Sequence, residues 1–141
     1  QTVNYIPSTH FKIADAKRGD IGNTANHYAK AFFETLYFDA ITVSPYMGED
    51  SLRPFLEYAE KWTIILGLTS NKGSKDFQRL TVEVPYYDIL QGSPKHQPLH
   101  EKILQTSSLW GTSENTMYVV GATHAADIKR IRSILPEHFL L

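Results

Sequence analysis

The chain alternates between short continuous apolar runs and longer stretches in which apolar residues recur at helical spacing. The apolar runs predict strands at about residues 11–15, 40–43, 63–68 and 117–121. Such runs are typical of strands covered on both faces, as in a parallel sheet. In the first of them, Phe11, Ile13 and Ala14 are expected to be buried. A fifth strand is predicted to begin at His138 and to continue to Leu141, the last residue.

Helical periodicity separates these runs. The first helix is predicted from Asn23 or Thr24 to Leu36, because apolar residues recur there at i, i+3, i+4 and i+7. Ser51 is expected to cap a second helix. The predicted buried face of that helix consists of Leu52, Phe55, Leu56 and Ala59.

Two more helices are predicted in the second half of the chain. One contains Leu99 and Ile103 and ends near residues 110–111, and the other begins near Ile128 and is ended by Pro136. Strands that alternate with helices, in the order β-α-β-α-β-α-β-α-β, predict an α/β fold with a parallel sheet.

The least regular part of the sequence is the stretch of residues 79–97. Leu80, Val82 and Val84 alternate with polar residues there, which predicts a short edge strand.

Composition and charge narrow the class of protein. The chain has 141 residues, 42% of them apolar, which suits one domain with a hydrophobic core. The net charge of −1 provides no basic field for nucleic acid. The sequence has no cysteine for disulfides or thiolate metal sites, and no apolar run near the ~20 residues of a membrane span. We expect no signal peptide before Gln1, and the abrupt start close to a strand indicates a piece of a larger domain.

The most concentrated chemistry lies at Asp15, Lys17 and Asp20, directly after the first apolar run. Residues two apart on a strand share a face, so Asp15 and Lys17 are expected together at its carboxyl end, with Asp20 in the following loop. Folds of the α/β class place their chemistry at that end. An ammonium held between carboxylates stays protonated, and it can stabilise developing negative charge and then donate a proton. The same spacing also occurs in solvated turns with a chance ion pair.

Four stretches, in a fixed order, resemble the motifs of the orotidine 5′-phosphate decarboxylase family, in the branch often called type 2. They are DAKRGDIGNT at 15–24, DAITVSPYMGEDS at 39–51, LTSNKGS at 68–74 with DFQ at 76–78, and YVVGAT at 118–123. The likeness covers most of the chain outside about residues 83–97. Four ordered motifs are a more specific signal than the first motif alone.

The resemblance implies a parallel (β/α) barrel of the TIM type, of which residues 1–141 would form a single partial domain. That domain would hold about the third to the seventh strand, and it would lack the first strands and the C-terminal phosphate-binding part. The implied reaction is the decarboxylation of orotidine 5′-phosphate to uridine 5′-phosphate in pyrimidine biosynthesis, in the cytoplasm and without a metal or organic cofactor. Since the phosphate supplies much of the binding in such a site, we expect this chain alone to be weak or inactive.

The resemblance also implies a role for each matched residue. Lys17 would stabilise and protonate the pyrimidine carbon that loses CO₂, and Asp15 would lie against the substrate carboxylate and help to hold Lys17. Asp20 and Thr24 match positions that reach across a homodimer interface into the neighbouring site. Ser70 matches the position that hydrogen-bonds the pyrimidine.

Two other functions stay open. A related barrel decarboxylase or lyase that acts on sugar phosphates can share the Asp-x-Lys-x-x-Asp spacing, but such enzymes usually carry carboxylates for Mg²⁺. The second and third motifs disfavour that reading. A non-catalytic binding or assembly module would keep the same residues only for packing.

Two further polar clusters have some features of ligand sites. Residues 67–74 lack the residue order of a nucleotide-triphosphate phosphate loop, so we interpret them as a loop over the mouth of the barrel. His96 and His100 are spaced for one helix face beside Glu101, which would suit zinc. Pro98 interrupts that helix, however, and solvated polar side chains are the preferred interpretation.

The remaining aromatic and basic clusters favour structural roles. Tyr86, Tyr87 and Trp110 are interpreted as packing residues, because nucleic-acid stacking sites usually accompany a basic groove. The basic residues of the last helix are expected on its solvated face; they are Lys129, Arg130 and Arg132.

Overall fold

The computed structural model describes residues 2–90, 92, 94–123 and 125–135. Its strands are β1 (Ile13–Arg18), β2 (Ala40–Val43), β3 (Trp62–Leu68), β4 (Thr81–Glu83), β5 (His96–Pro98) and β6 (Thr116–Val120). Four of them form a parallel sheet in the order β1-β2-β3-β6, and β4 and β5 form a separate antiparallel pair. The parallel sheet predicted from the sequence is therefore confirmed, with four strands in the described ranges.

Helices alternate with the strands along the described residues. They are α1 (Gly22–Lys30), α2 (Glu49–Leu56), α3 (Ser74–Phe77), α4 (Tyr86–Leu90), α5 (Leu99–Ser107) and α6 (Ala125–Arg132). A 3-10 turn at Thr2–Tyr5 precedes β1, and a π-helical turn at Ala31–Thr35 continues α1. Among the described helices, none combines the length and the apolar character needed to cross a bilayer.

One hydrophobic core joins the sheet to the helices. From the sheet it takes Ala14, Ile41, Val43, Ile65, Leu68 and Tyr118, and from the helices and the π turn Ala29, Phe33, Leu52, Phe55, Leu56, Leu104 and Ile131. Because side chains alternate along a strand, residues next to these core positions project from the opposite face of the sheet. Ala14 pairs with Ile41, so Asp15 and Thr42 lie side by side on that opposite face.

The first strand differs from its prediction in length and in burial. It begins two residues later than expected and continues to Arg18, with a register irregularity between Ala14 and Arg18. Only Ala14 of the three expected apolar residues is buried, whereas Phe11 and Ile13 are 53% and 51% exposed. The physical reason is that β1 is an edge strand and that Ile13 alternates with Ala14, away from the helices.

The second helix also corrects the prediction. It begins at Glu49, and the N-cap position is Gly48, whose φ of 95° favours glycine. Ser51 is therefore the third helical residue, and its hydroxyl donates a 2.7 Å hydrogen bond to the Gly48 carbonyl. Ala59 is exposed, because the helix ends at Leu56 and Ala59 is therefore not on its buried face.

The irregular stretch folds back on itself. β4 and β5 pair so that Val82 faces Gln97, which confirms a short strand there, and α4 lies between them. The two ends of this stretch lie next to each other, since the Leu99 backbone N–H donates a 2.8 Å hydrogen bond to the Leu80 carbonyl. Packing is confirmed for Trp110, which contacts the core, but Tyr86 is 75% exposed.

Helix ends in the second half differ by a few residues from the predicted ones. α5 ends at Ser107, and a turn rather than helix follows to Trp110. α6 buries Ile131 as predicted. The predicted final strand from His138 and the predicted stop at Pro136 lie outside the described residues, as do the side chain of Tyr87 and His124.

Candidate active site

Asp15, Lys17 and Thr42 meet at the carboxyl end of β1 and β2. The Lys17 ammonium lies 2.6 Å from Asp15 Oδ1. Thr42 Oγ1, on β2, lies 3.0 Å from the same carboxylate oxygen and accepts a 2.9 Å hydrogen bond from the Lys17 backbone N–H. One hydroxyl therefore connects both charged residues to the central part of the sheet.

The backbone at Lys17 is unusual for a residue in a strand. Its φ is 46°, in the left-handed region that side chains other than glycine rarely adopt. A residue held there costs of the order of 1–3 kcal/mol and persists only where its surroundings fix it. The hydrogen bond to Thr42 is a contact that fixes it, and it coincides with the irregular register of β1.

The electrostatics of the pair favour an ionised carboxylate. Hydrogen bonding from Lys17 and, secondarily, from Thr42 holds the pKa of Asp15 below its ordinary value. The side chains of Asp15 and Lys17 are 67% and 54% exposed, so solvent screens this interaction. The arrangement presents a fixed positive charge and an adjacent negative one to a molecule bound on this face.

Asp20 and Thr24 lie beyond this pair. Asp20 is in the loop after β1, where its Oδ1 accepts a 2.9 Å hydrogen bond from the Ile21 backbone N–H. Within the described residues the ion pair of Lys17 is with Asp15 and not with Asp20. Thr24 is exposed in the first turn of α1.

Ser70 lies in the loop that follows β3, as expected for the third motif. This loop and the residues after β6 line a cleft of about 180 Å³, with Ser70, Arg79, Gly121 and Thr123 among its walls. The side-chain amide of Gln78 holds this loop through two 2.8 Å hydrogen bonds to Thr69. Its oxygen accepts from the Thr69 backbone N–H, and its nitrogen donates to the Thr69 hydroxyl.

A larger cavity lies beside this site. It measures about 390 Å³, and its mostly apolar walls include Pro45, Leu66, Phe77, Leu99 and Ile103. None of the five site residues predicted from the sequence lines it, so size alone does not locate the chemistry.

The histidine cluster does not assemble. His96 is on β5 and His100 on α5, and His100 is buried with Nδ1 2.8 Å from the Gln78 carbonyl oxygen. The preferred interpretation of solvated side chains is confirmed for His96, which is exposed. It is wrong for His100 and Glu101, because both residues are buried. The Glu101 carboxylate accepts hydrogen bonds of 2.8 and 3.0 Å from the Arg130 guanidinium. Arg130 is accordingly not a purely solvated residue either.

Metal-ligating side chains are dispersed in the described structure. Across residues 2–90, 92, 94–123 and 125–135, no group of three or more His, Asp or Glu side chains could hold a metal ion.

Two residues of the site escaped the sequence analysis. Thr42 and Gln78 are part of the second and third motifs, but the sequence assigns no role to either. A signal existed for Thr42, since it is a hydroxyl in an otherwise apolar strand, Ala-Ile-Thr-Val. For Gln78 no local signal existed, because its partner Thr69 lies nine residues away in a loop.

The fold and the site define a class: a parallel β/α domain that carries a lysine–carboxylate site at the carboxyl ends of its strands. Comparison with known proteins is more specific. The family model described as "Orotidine 5'-phosphate decarboxylase / HUMPS family" matches residues 1–134, and this chain belongs to that family.

Individual relatives agree with this assignment. Orotidine 5′-phosphate decarboxylases of Christiangramia forsetii and Bacteroides fragilis are 51% and 52% identical to it over 144 aligned positions, which cover 100% of this chain. The solved structure of Leishmania donovani OMP decarboxylase superimposes with a TM-score of 0.80 at 38% identity over 95% of this chain. The chain spans about half of each relative, 48% of the first two and 49% of the third. Its fold is thus part of a TIM-type barrel.

Proposed function

We propose that this chain supplies the catalytic centre for the decarboxylation of orotidine 5′-phosphate to uridine 5′-phosphate. The observation that carries the proposal is the 2.6 Å contact between the Lys17 ammonium and Asp15, in a chain of this family. Loss of CO₂ leaves a carbanion on the pyrimidine, and a preorganised positive charge is what such an intermediate requires. The proposed reaction needs no metal or organic cofactor, and the cytoplasm is its proposed location.

The roles proposed for Lys17 and Asp15 are those that the family resemblance implies, and the close contact between the two side chains supports them. Lys17 stabilises the carbanion through its ammonium and then donates a proton to it. Asp15 stays ionised, holds the ammonium, and lies against the departing carboxylate. Whether repulsion between the two carboxylates promotes the reaction is a contested idea that this mechanism does not require.

The remaining predicted residues are proposed to bind substrate. Ser70, in the cleft after β3, hydrogen-bonds the pyrimidine. Asp20 and Thr24 reach the neighbouring site of a homodimer, which is supported by the exposure of Thr24 and by the ion pair of Lys17, which within the described residues is with Asp15 and not with Asp20. No membrane or nucleic-acid partner is proposed.

The test uses the chain extended at both ends with the flanking segments of the C. forsetii relative, hereafter the extended chain. Turnover of orotidine 5′-phosphate is followed by ultraviolet absorbance. We expect Lys17→Ala to lower kcat by at least about 10²–10⁴-fold, as for removal of a general acid, with the fold intact by circular dichroism.

Lys30→Ala is the matched control, because Lys30 is a surface lysine on α1 outside the site, and it should leave turnover unchanged. The same assay with EDTA separates the Mg²⁺-dependent alternative. Near-normal turnover by Lys17→Ala would refute the role of Lys17, and an extended chain that binds but never turns over the substrate would favour the assembly module.

A further inference from the structure

We infer that Thr42 is a positioning residue, which holds Asp15 and Lys17 in their reactive arrangement through one buried hydroxyl. The inference rests on the proposed function and adds to it a residue on a different strand. Thr42 is almost completely buried and is inferred to act through the two charged residues that its hydroxyl contacts.

The hydroxyl has a defined hydrogen-bond pattern. Its oxygen accepts from the Lys17 N–H at 2.9 Å, and its single hydrogen has two acceptors within reach, Asp15 Oδ1 at 3.0 Å and the Ala14 carbonyl oxygen at 3.4 Å. The shorter distance and the negative charge favour donation to Asp15. The Ala14 carbonyl is therefore the weaker contact.

Thr42 is the rigid member of this group. Its residue is 4% exposed, whereas the side chains of Asp15 and Lys17 are more than half exposed. Its neighbours on β2, Ile41 and Val43, are fully buried in the core, and a β-branched side chain has few χ1 rotamers. The packed core therefore fixes Thr42, and the hydrogen bonds of Thr42 fix the charged pair.

Removing the hydroxyl would disturb both partners at once. The Lys17 N–H would lose its acceptor, and the left-handed backbone at Lys17 would lose the contact that offsets its strain. Asp15 would lose a donor to its ionised form, and its pKa would rise. Loss of these hydrogen bonds loosens the Lys17 backbone and the Asp15 carboxylate, and with them the ammonium that meets the carbanion.

The experiment compares Thr42→Val with Thr42→Ser in the extended chain. Thr42→Val removes the hydroxyl at nearly constant shape, and we expect kcat to fall by about 10–100-fold, as for loss of a hydrogen bond to a charged group. KM should change by less than about threefold, since the inferred role of Thr42 is to position Asp15 and Lys17 rather than to bind substrate. Thr42→Ser keeps the hydroxyl and should recover most of kcat.

The pH profile provides a readout that a merely structural role would not move. Because Asp15 must be ionised, a raised pKa shifts the acidic limb of the kcat profile to higher pH in Thr42→Val and not in Thr42→Ser. ¹³C NMR titration of the Asp15 carboxyl in the same proteins measures this shift without turnover.

The chain offers a matched control in Thr63→Val. Thr63 is a fully buried threonine on the adjacent strand, and within the described structure its hydroxyl has no hydrogen-bond partner. Thr63→Val should therefore leave kcat, the pH profile and the Asp15 titration unchanged.

The outcomes separate this inference from the proposed function. If Lys17→Ala abolishes turnover while Thr42→Val keeps the parent's kcat and pH profile, Thr42 has no positioning role and the proposed function stands. If the parent itself does not turn over, the proposed function fails. An unchanged Asp15 titration in folded Thr42→Val would overturn the inference independently of activity.

Discussion

At the scale of single residues, the Lys17–Asp15 contact combines a local and a non-local cause. The spacing i, i+2 on β1 brings the two side chains to one face, as the sequence predicts. The left-handed backbone at Lys17 and the hydrogen bonds of Thr42 then set their separation. Thr42 is 27 residues from Asp15 along the chain, so no local pattern could have paired them.

A buried tyrosine gives a residue-scale prediction about alkaline pH. Burial raises the pKa of Tyr118 to about 12, while a 3.1 Å hydrogen bond to Ser107 partly opposes the shift. The unfolded chain releases this proton near pH 10, so between about pH 10 and 12 the folded state binds more protons and stability falls as pH rises.

We therefore expect the free energy of unfolding to drop by about 2 kcal/mol across that window because of Tyr118 alone. Urea denaturation at several pH values, compared with Tyr118→Phe, isolates this part from the lysines and from Tyr58, whose pKa is also raised. Equal pH dependence in both proteins would show that Tyr118 ionises in the folded state as readily as in the unfolded one.

At the scale of elements, the loop after β3 is held from two sides. The side chain of Gln78 bonds Thr69 twice, and the Gln78 carbonyl accepts from the His100 backbone N–H at 2.9 Å. On the other side Gly121 lies so close that an added Cβ would come within 2.9 Å of the Ser70 backbone nitrogen. The loop that presents Ser70 is therefore fixed by both neighbouring connections.

Gln78→Ala tests this account of the loop. Loss of two neutral hydrogen bonds should speed hydrogen exchange at the Thr69 amide by about 5–30-fold, with little change in the core strands. Gln105→Ala, a glutamine on α5 outside this contact, is the control. Exchange at Thr69 that matches the control would mean that Gly121 and the backbone suffice to hold the loop.

Elements also show where periodicity is informative. β2 was predicted at its observed bounds, because Ala40–Val43 is a short apolar run buried throughout. The capping residue of α2 was missed because the N-cap is Gly48, with its positive φ, three residues before Ser51. The burial of His100 and Glu101 was missed because their partners, Gln78 and Arg130, are 22 and 29 residues away.

At the scale of the whole molecule, the proposed homodimer makes a quantitative prediction for mixed variants. If Asp20 acts in the neighbouring site, Lys17→Ala and Asp20→Ala are each inactive, but a mixed dimer has one site with both Lys17 and Asp20 intact. Refolding an equal mixture of the two extended chains should then recover about a quarter of the parent's activity, since half of the dimers are mixed and each has one active site.

The mixture discriminates between the two placements of Asp20. If Asp20 acts in its own subunit's site, every site in the mixed dimer lacks one residue, and the mixture stays as inactive as its components. Sedimentation velocity on the mixture confirms that dimers have formed. The same mixture with Lys30→Ala in place of Lys17→Ala should give about half of the parent's activity for either placement of Asp20, and it controls for losses on refolding.

The sequence by itself determined the class of fold, the strand–helix order and the family, because these depend on periodicity and on motifs contiguous along the chain. It also determined that Asp15 and Lys17 share a face, because the alternation of side chains along a strand depends only on their spacing in the sequence. Only the tertiary structure decided which face of β1 is buried, that Thr42 binds the charged pair, and that Gln78 fixes the Ser70 loop. Each of these depends on contacts between segments distant in sequence, and such contacts arise only when the strands align in the sheet and the helices pack against it.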